Sequence, residues 1–362
     1  MMRISTEPSR SFYRTMKNHF NFAKICQDFL KDLSVRHKEV ILRRFGFKSG
    51  NRETLEFIGM NYGITRERVR QIEKDSFMKM EPKIKKYEKV FTSFVNHFKK
   101  HGELKREDIL LSQLTDPQFH PHLNFLLSLH SRFSRFSDSK EFYPLWTINN
   151  NSLKLALQVN NFLISKFKEK GIPLPFPKVF ELCKKNPLVI KKNLNSPAIL
   201  SFIEASKGIE QGMNNLFGLK GWPEINPKGV KDKAFLVLKR EKKPVHFNTI
   251  ASLISKLPLQ EELEEKKEVI SQTVHNELIK DPRFVLVGRG MYALREWGYE
   301  PGVVKDIIVR LLKEKERSMT REEIIKKTLQ QRFVKESTIL FNLQDKGYFL
   351  KNSDGKYTLR KI

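Results

Sequence analysis

The stretch YGITRERVRQIEKDSFMKM, residues 62–80, decides how the first part of this chain folds. Gly63 suits a tight turn with a positive φ angle, and Thr65 is a good N-cap for a helix that follows it. Val69 and Ile72 have the spacing of side chains that face one core. With the apolar residues just upstream, this pattern predicts two short helices joined by a turn, a helix–turn–helix.

The outward face of the second helix carries side chains suited to reading DNA. Once Val69 and Ile72 point inward, the helical period places five residues outward together: Arg66, Glu67, Arg70, Gln71 and Lys74. Arginine can bind the guanine edge, glutamine the adenine edge, and glutamate can accept from the cytosine amino group. A solvated basic helix is the simpler alternative, and one helix–turn–helix match leaves it open.

The composition favours a polyanionic partner. The chain has 362 residues, with 68 Lys and Arg against 41 Asp and Glu, a formal charge of +27. Such a surface attracts nucleic acid, although abundant Lys, Asn, Ile and Phe also fit the codon bias of an AT-rich genome. Cys26 and Cys183 form no CxxC pair, so neither a metal site nor a disulfide is expected. No cofactor is predicted. No apolar run could span a bilayer, and a cytoplasmic protein is predicted.

Several blocks of the sequence end in a strand, a polar turn and a second strand after a series of helices. RFVLV and MYALR flank Gly288-Arg289-Gly290, and YFLK and KYTLR flank Asn352-Ser353-Asp354-Gly355. Helices followed by a small hairpin are typical of a winged helix. We therefore predict a mainly α chain, in which a helix–turn–helix domain precedes tandem winged-helix modules. The predicted segments are 1–31 (leader and first helix), 32–81 (helix–turn–helix), 82–150 (winged-helix-like), 151–226 (helical or winged-helix-like), 227–297 (winged helix) and 298–362 (winged-helix-like).

The first of these domains resembles region four of the primary sigma factors of bacterial RNA polymerase. The resemblance rests on LSVRHKEVILRRFGF and TLEFIGMNYGITRERVRQIEKDSFMKM, which contain the Arg-Phe-Gly, Thr-Leu-Glu-x-Ile-Gly and Gly-x-Thr-Arg-Glu-Arg-x-Arg-Gln-Ile-Glu elements of that family. It implies base reading by Arg66, Glu67, Arg70 and Gln71 at the upstream promoter hexamer. It also implies support from Arg68 and Arg70 through bases or phosphates, and binding to the flap of the polymerase β subunit. From their positions at the start and on the outward face of the helix, Thr65 and Lys74 are further candidates for supporting contacts.

One departure from the family concerns the position of this region in the chain. In sigma factors region four closes the chain, whereas here only about thirty residues precede it. We therefore expect a sigma-type reader attached to other modules and not a complete sigma factor.

A later segment is similar to the HARE-type winged helix. The resemblance rests on KPVHFNTIASLISK and HNELIKDPRFVLVGRGMYALREWGY. Related modules occur in the delta subunit of RNA polymerase, in restriction systems and in chromatin proteins. Arg289, at the predicted hairpin tip, is a candidate for contacting phosphates or a minor groove, although a solvated turn fits equally well.

Catalysis is the least favoured interpretation. Asp232 and Glu241-Lys242-Lys243 fit the sequence pattern of a metal-dependent nuclease, yet their segment has helical periodicity, so no enzyme is predicted.

A protein that docks on RNA polymerase without reading DNA is a further alternative. The favoured hypothesis is a regulator of transcription that binds double-stranded DNA and RNA polymerase and associates with the bacterial nucleoid. Its target sites, the sign of its effect and its oligomeric state stay open.

Overall fold

The chain forms two compact units, Met1–Lys220 and Gly221–Ile362. The structure is a computed structural model that describes residues 20–212, 215–257, 269–315 and 318–360. Most of the predicted leader therefore lies outside the described residues. None of the described helices is both long and apolar enough to cross a membrane.

The described part of the first unit starts with four helices whose ends follow from local chemistry. They are α1 (Phe22–Leu30), α2 (Val35–Phe45), α3 (Leu55–Tyr62) and α4 (Arg66–Met80), and the 3-10 segment Glu81–Tyr87 follows. Side chains of Ser34, Thr54 and Thr65 accept the backbone N–H groups that α2, α3 and α4 leave free at their starts.

Two winged-helix modules complete the first unit. The first module contains α5 (Glu88–Lys100), β1 (Leu104–Arg106), α6 (Glu107–Leu114), α7 (His120–Leu129), β2 (Ser134–Phe136) and β3 (Leu145–Thr147). The second contains α8 (Asn151–Lys170), β4 (Leu174–Pro175), α9 (Phe176–Cys183), α10 (Pro187–Lys191), α11 (Ser196–Ala205), β5 (Ile209–Gln211) and β6 (Leu216–Leu219). Both sheets are antiparallel, with the orders β1-β3-β2 and β4-β6-β5.

The second unit contains two further modules of the same design. The third module contains α12 (Gly229–Glu241), β7 (Val245–His246), α13 (Phe247–Ile254), α14 (Ser271–Lys280), β8 (Phe284–Gly288) and β9 (Met291–Leu294), with the strand order β7-β9-β8. The fourth contains α15 (Val304–Lys315), α16 (Arg321–Gln331), α17 (Glu336–Leu343), β10 (Phe349–Lys351) and β11 (Tyr357–Leu359). Met319 bridges to Tyr357 where the other modules have their first strand. These modules confirm the predicted fold class of helix–turn–helix and winged-helix elements.

One hydrophobic core joins the helix–turn–helix region to the first winged-helix module. Phe125, on α7, is fully buried, and its ring lies 5.4 Å from that of Phe45, 5.5 Å from that of Phe47 and 6.4 Å from that of Phe29. The same core includes Trp146 of β3. Residues from the predicted segments 1–31, 32–81 and 82–150 thus share a core, and the segment boundaries themselves remain a prediction.

The second module packs against the first through its helix α11. The Lys105 side chain is only 1% exposed, and its Nζ lies 2.7 Å from Oε2 of Glu204. Ser201 donates its hydroxyl to the carbonyl oxygen of Leu104 at 2.6 Å. Because a buried ammonium group requires a close counter-charge, this contact fixes where α11 meets β1.

The two modules of the second unit are joined by a buried arginine and an added strand residue. Arg332, 3% exposed, donates to the carbonyl oxygens of Glu300 and Gly302. The next residue, Phe333, donates its N–H to the carbonyl oxygen of Val287 at 2.6 Å and forms a parallel bridge beside β8. The outer edge of the third module's wing is therefore paired by the chain itself.

Candidate nucleic-acid interface

The turn between α3 and α4 depends on two glycines with different roles. Gly63 ends α3 with φ 63°, in the left-handed region where a Cβ is unfavourable. At Gly59 an added Cβ would lie 2.6 Å from the carbonyl oxygen of Ile64. Gly59 therefore leaves room for the turn that leads into α4.

A small core holds α4 against the two preceding helices. Val69 and Ile72 are buried beside Val40 and Ile58, as their spacing predicts. Outside this core, Arg44 Nε lies 3.3 Å from Oε1 of Glu73 and so ties α2 to α4. The Glu73 side chain is only 17% exposed, and this burial raises its pKa while Arg44 opposes the shift. The helix is therefore fixed on its inner side.

The outward side chains of α4 form the surface that we call the reading face: Arg66, Glu67, Arg70, Gln71 and Lys74. All five are exposed, and Arg68 is exposed on one flank. Thr65 caps the helix by accepting from the N–H of Arg68 at 3.2 Å. The structure therefore brings together every residue that the sequence predicted for this helix, on one face or at its start.

One hydrogen-bonded pair lies within the reading face, and a second joins the face to the flanking Arg68. Arg70 donates to both carboxylate oxygens of Glu67, at 2.8 and 2.7 Å. Arg68 donates to the side-chain oxygen of Gln71 at 3.1 Å. The bond to Arg70 lowers the pKa of Glu67 and raises the pKa of Arg70. Glu67 is therefore an ionised hydrogen-bond acceptor near neutral pH, and it holds Arg70 in a defined orientation.

Other cations on the face are uncommitted. Within the described residues, neither Arg66 nor Lys74 has a hydrogen-bond or ion-pair partner, so both can contact DNA without first breaking an internal contact. Met78, 53% exposed, lies four residues beyond Lys74 and extends the face with an apolar side chain. The sequence interpretation did not identify Met78, although the same helical period would have placed it there.

The winged-helix modules differ in whether the helix before the wing is accessible. No residue of α7 or α11 is exposed, because both helices pack inside the first unit. In the second unit, α14 exposes Gln272, Thr273 and Asn276, and α17 exposes Ser337, Thr338 and Phe341. A winged helix that reads DNA places this helix in the groove. The first two modules therefore cannot present these helices in this arrangement.

Arg289 occupies the hairpin tip that the sequence predicted for it. It lies between β8 and β9, is exposed, and adjoins Gly290 with φ 67°. An added Cβ at Gly290 would lie 2.4 Å from Nε2 of His246, so the turn is closely packed at its base. Arg289 belongs to the second unit, whereas the reading face belongs to the first.

Asp232, the first residue of the nuclease alternative, has a structural role. Asp232 lies on α12, where it accepts from the backbone N–H of Lys228 at 2.8 Å and from Arg283 at 2.8 Å. Arg283 also pairs with Asp281, and the two carboxylates raise its pKa. Over the described ranges, no group of three or more His, Cys, Asp or Glu side chains could hold a metal ion. Asp232 therefore contributes to the packing of the third module.

An apolar surface on α3 lies outside the reading face. Phe57 and Met60 are 52% and 79% exposed, and a separation of three residues places them on one side of the helix. The Arg43 guanidinium lies 5.9 Å from the centre of the Phe57 ring. Exposed apolar side chains at this separation are a candidate protein contact.

Two family models match parts of the chain. The model of sigma-70, region 4 matches residues 29–81. The model of the HARE helix–turn–helix domain, described by its occurrence in ASXL proteins and restriction endonucleases, matches residues 229–297. The matches confirm both resemblances found in the sequence, and both families are helix–turn–helix types and not enzyme families.

Curated relatives match the same N-terminal part. The chain is 44% identical over 88 residues to the RNA polymerase sigma factor RpoS of Coxiella burnetii, covering 21% of this chain and 25% of that protein. It is 48% identical over 54 residues to the RNA polymerase sigma factor sigB of Arabidopsis thaliana, covering 15% and 9%. It is 43% identical over 54 residues to the RNA polymerase sigma factor SigA of a Bacillus species, covering 15% and 14%.

The chain thus spans a quarter or less of the length of these three relatives. The likeness to sigma factors rests on the helix–turn–helix that carries the reading face, and the HARE likeness rests on the third winged-helix module. This protein therefore combines a helix–turn–helix that matches the sigma-70 region 4 model with a winged helix that matches the HARE helix–turn–helix model.

Proposed function

We propose that this protein is a DNA-binding regulator of transcription that reads promoter-like duplex DNA through α4 and associates with bacterial RNA polymerase. The observation that carries the proposal is the reading face. Its five polar side chains are exposed on a helix whose opposite side is fixed by Val69 and Ile72. The side-chain types match base edges in the major groove, and the +27 charge adds phosphate attraction.

Base reading can be tested by replacing the residues that would contact base edges. In the Arg66→Ala and Gln71→Ala variants we expect the preference for promoter-like over random duplexes to fall by about tenfold for each side chain that binds a base edge well. Arg132→Ala is a matched control, because Arg132 is exposed on the first winged-helix module and its ion pair is with the half-exposed Glu88. Full discrimination by both variants would contradict base reading by α4.

Phosphate contacts are tested by salt. Affinity should fall by orders of magnitude between low and physiological salt if about six or more phosphates are contacted. Lys74→Ala and Arg68→Ala should weaken binding to all sequences similarly and reduce the slope of affinity against salt. Binding to duplex DNA that does not depend on salt would oppose this part of the proposal.

Association with RNA polymerase is proposed through the exposed apolar surface on α3, with the β flap as the contacted element. The support is the sigma-type domain together with the exposure of Phe57 and Met60. Phe57→Glu combined with Met60→Glu should abolish co-purification with polymerase and leave discrimination between duplexes intact. Arg66→Ala should have the opposite effect. A double variant that still co-purifies fully would exclude this surface.

The second candidate is a polymerase-docking protein that does not read DNA, and the exposed apolar surface on α3 favours it. Genome-wide DNA crosslinking with co-purification of polymerase separates the candidates. Promoter peaks that disappear in Arg66→Ala support the reader. Peaks that persist in Arg66→Ala but disappear in the α3 double variant would support docking alone, and peaks without polymerase would indicate an ordinary repressor or activator.

A further inference from the structure

The fourth winged-helix module contains a groove that the proposed function does not use. Its volume is about 580 Å³, and it lies between the end of α17 and the C-terminal hairpin. Its walls are formed by Leu343, Gln344, Lys346, Phe349, Leu350, Lys351, Tyr357 and Arg360. Neighbouring residues of a strand point to opposite faces of the sheet. The groove is lined by all three residues of β10, so it follows the strand and is not confined to one face.

The outer edge of β10 is open. In the part of the chain that the structure describes, β10 pairs only with β11. Arg360 donates its N–H to the carbonyl oxygen of Tyr348, and Asn352 donates to that of Lys356. Antiparallel pairs alternate, so the backbone of Leu350 faces β11 while the N–H and C=O of Lys351 face the open edge. A segment in extended conformation can pair with these groups.

The third module shows the same edge occupied. There the outer strand of the wing is β8, and Phe333 pairs with it through a 2.6 Å bond to the carbonyl oxygen of Val287. The edge of β10 is the equivalent position in the fourth module, since each is the strand farthest from the module's first strand position. The design of these wings therefore permits addition of an extended segment.

Charge and exposure define what the groove would accept. Three lining residues are cations, Lys346, Lys351 and Arg360, and none is acidic. Apolar surface lies among them, because Leu350, which also lines the groove, is 44% exposed. Phosphates would pair with the cations but would not cover the apolar side chains. A polypeptide with both carboxylates and apolar side chains satisfies both.

We propose that this groove binds a short acidic segment of a partner protein, added as a strand along β10. Carboxylates of the segment pair with Lys346 and Lys351, and its apolar side chains cover Leu350. The fourth module thereby serves as a protein-docking module, while DNA is bound elsewhere in the chain.

The test uses the full chain and a dye-labelled peptide that alternates glutamate and leucine. We expect binding that weakens at least about fivefold in the Lys346→Glu/Lys351→Glu variant. The matched control is Lys313→Glu/Lys326→Glu, which has the same net charge and alters exposed lysines of α15 and α16 that do not line the groove. A peptide with serine in place of leucine should bind more weakly. A peptide whose backbone amides are N-methylated along one edge of the extended chain should also bind more weakly.

Three outcomes would overturn the proposal. Equal peptide binding by both double variants would mean general attraction to a cationic protein. If the peptide with serine in place of leucine binds equally well, the apolar contacts are excluded. If the N-methylated peptide binds equally well, the strand pairing is excluded. If the peptide does not bind and Lys346→Glu/Lys351→Glu instead weakens binding of a short random duplex, the surface is a nucleic-acid site.

Discussion

At the scale of single residues, the pair formed by Glu67 and Arg70 determines what the reading face presents. Both oxygens of the carboxylate accept from the guanidinium, so Arg70 is held in one orientation in the free protein. Glu67 thus has two possible roles in DNA recognition: it can accept from a base itself, or it can orient Arg70. In either role its charge matters, because a neutral amide would be a weaker acceptor and a weaker partner for Arg70.

We predict that Glu67→Gln reduces sequence preference by roughly tenfold, while binding to random duplex is unchanged or stronger, because a negative charge leaves the face. The measurement is fluorescence anisotropy against a panel of duplexes with single base-pair changes. Glu56→Gln is the control, since Glu56 is exposed in the first turn of α3 and outside the reading face. If Glu67→Gln binds every duplex of the panel with the wild-type affinity, the carboxylate neither reads a base nor orients Arg70.

At the scale of elements, the turn between α3 and α4 sets the position of the reading face. Its two glycines are needed for different reasons, one for space and one for backbone conformation. The distinction is testable because an alanine at each position meets a different obstacle: a carbonyl oxygen at Gly59, and a positive φ angle with open space at Gly63.

We predict that Gly59→Ala destabilises the first unit by about 1–3 kcal/mol, because its Cβ would lie 2.6 Å from the carbonyl oxygen of Ile64. Gly63→Ala should cost about 1 kcal/mol, the usual penalty for a left-handed alanine. Urea denaturation gives both values, and Gly63→Asn is the control, because asparagine tolerates this conformation better. A larger loss for Gly63→Ala than for Gly59→Ala would contradict this assignment.

At the scale of the whole molecule, the helix–turn–helix is not an independent domain attached by a linker. Phe125 of the first winged-helix module contacts rings from α1, from α2 and from Phe47, two positions after α2, and all belong to one core. Consequently, loss of packing in the winged helix should be transmitted to the reading face through shared apolar contacts.

We predict that Phe125→Ala destabilises the first unit by about 3–5 kcal/mol and that α2–α4 lose protection together with α5–α7. Hydrogen exchange measured by mass spectrometry resolves these segments. Phe57→Ala is the control, since that ring is 52% exposed and should cost less than about 1 kcal/mol. Unchanged protection of α2–α4 in Phe125→Ala would mean that the helix–turn–helix folds by itself.

The first unit should also lose stability in mild acid. His97 and His101, on and just after α5, are buried, and burial lowers the pKa of His97 to about 2 and the pKa of His101 to about 4. Both values lie below the ordinary value of about 6.5, so the unfolded chain binds more protons below that pH. The stability that the neutral rings allow is complete above pH 6.5 and declines as the pH falls.

We predict a decline of about 1.4 kcal/mol per pH unit for each of these histidines between pH 6 and 5. Urea denaturation at several pH values measures this decline in the free energy of unfolding. Replacement of His97 by leucine should reduce the slope of that free energy against pH by the contribution of one histidine, about 1.4 kcal/mol per pH unit. The decline due to His101 should level off below about pH 4. A His97→Leu variant with the wild-type slope would contradict the assignment.

What the sequence determined by itself is local. Four features depend on residues within a few positions of one another: the cap at Thr65, the turn at Gly63, the outward set from Arg66 to Lys74 and the hairpin around Arg289. Periodicity and turn chemistry therefore predicted them correctly. The roles of these residues in binding DNA remain predictions, because geometry places side chains without showing what they contact.

Only the tertiary structure decided which helices are available to a partner. An apolar helix such as α7 looks the same in sequence whether its side chains pack within its own module or against a neighbouring one. The burial of α7 and α11 and the pairing of Lys105 with Glu204 depend on residues far apart in the chain. Contacts over such separations leave no periodic pattern, since hydrophobic attraction does not specify its partner.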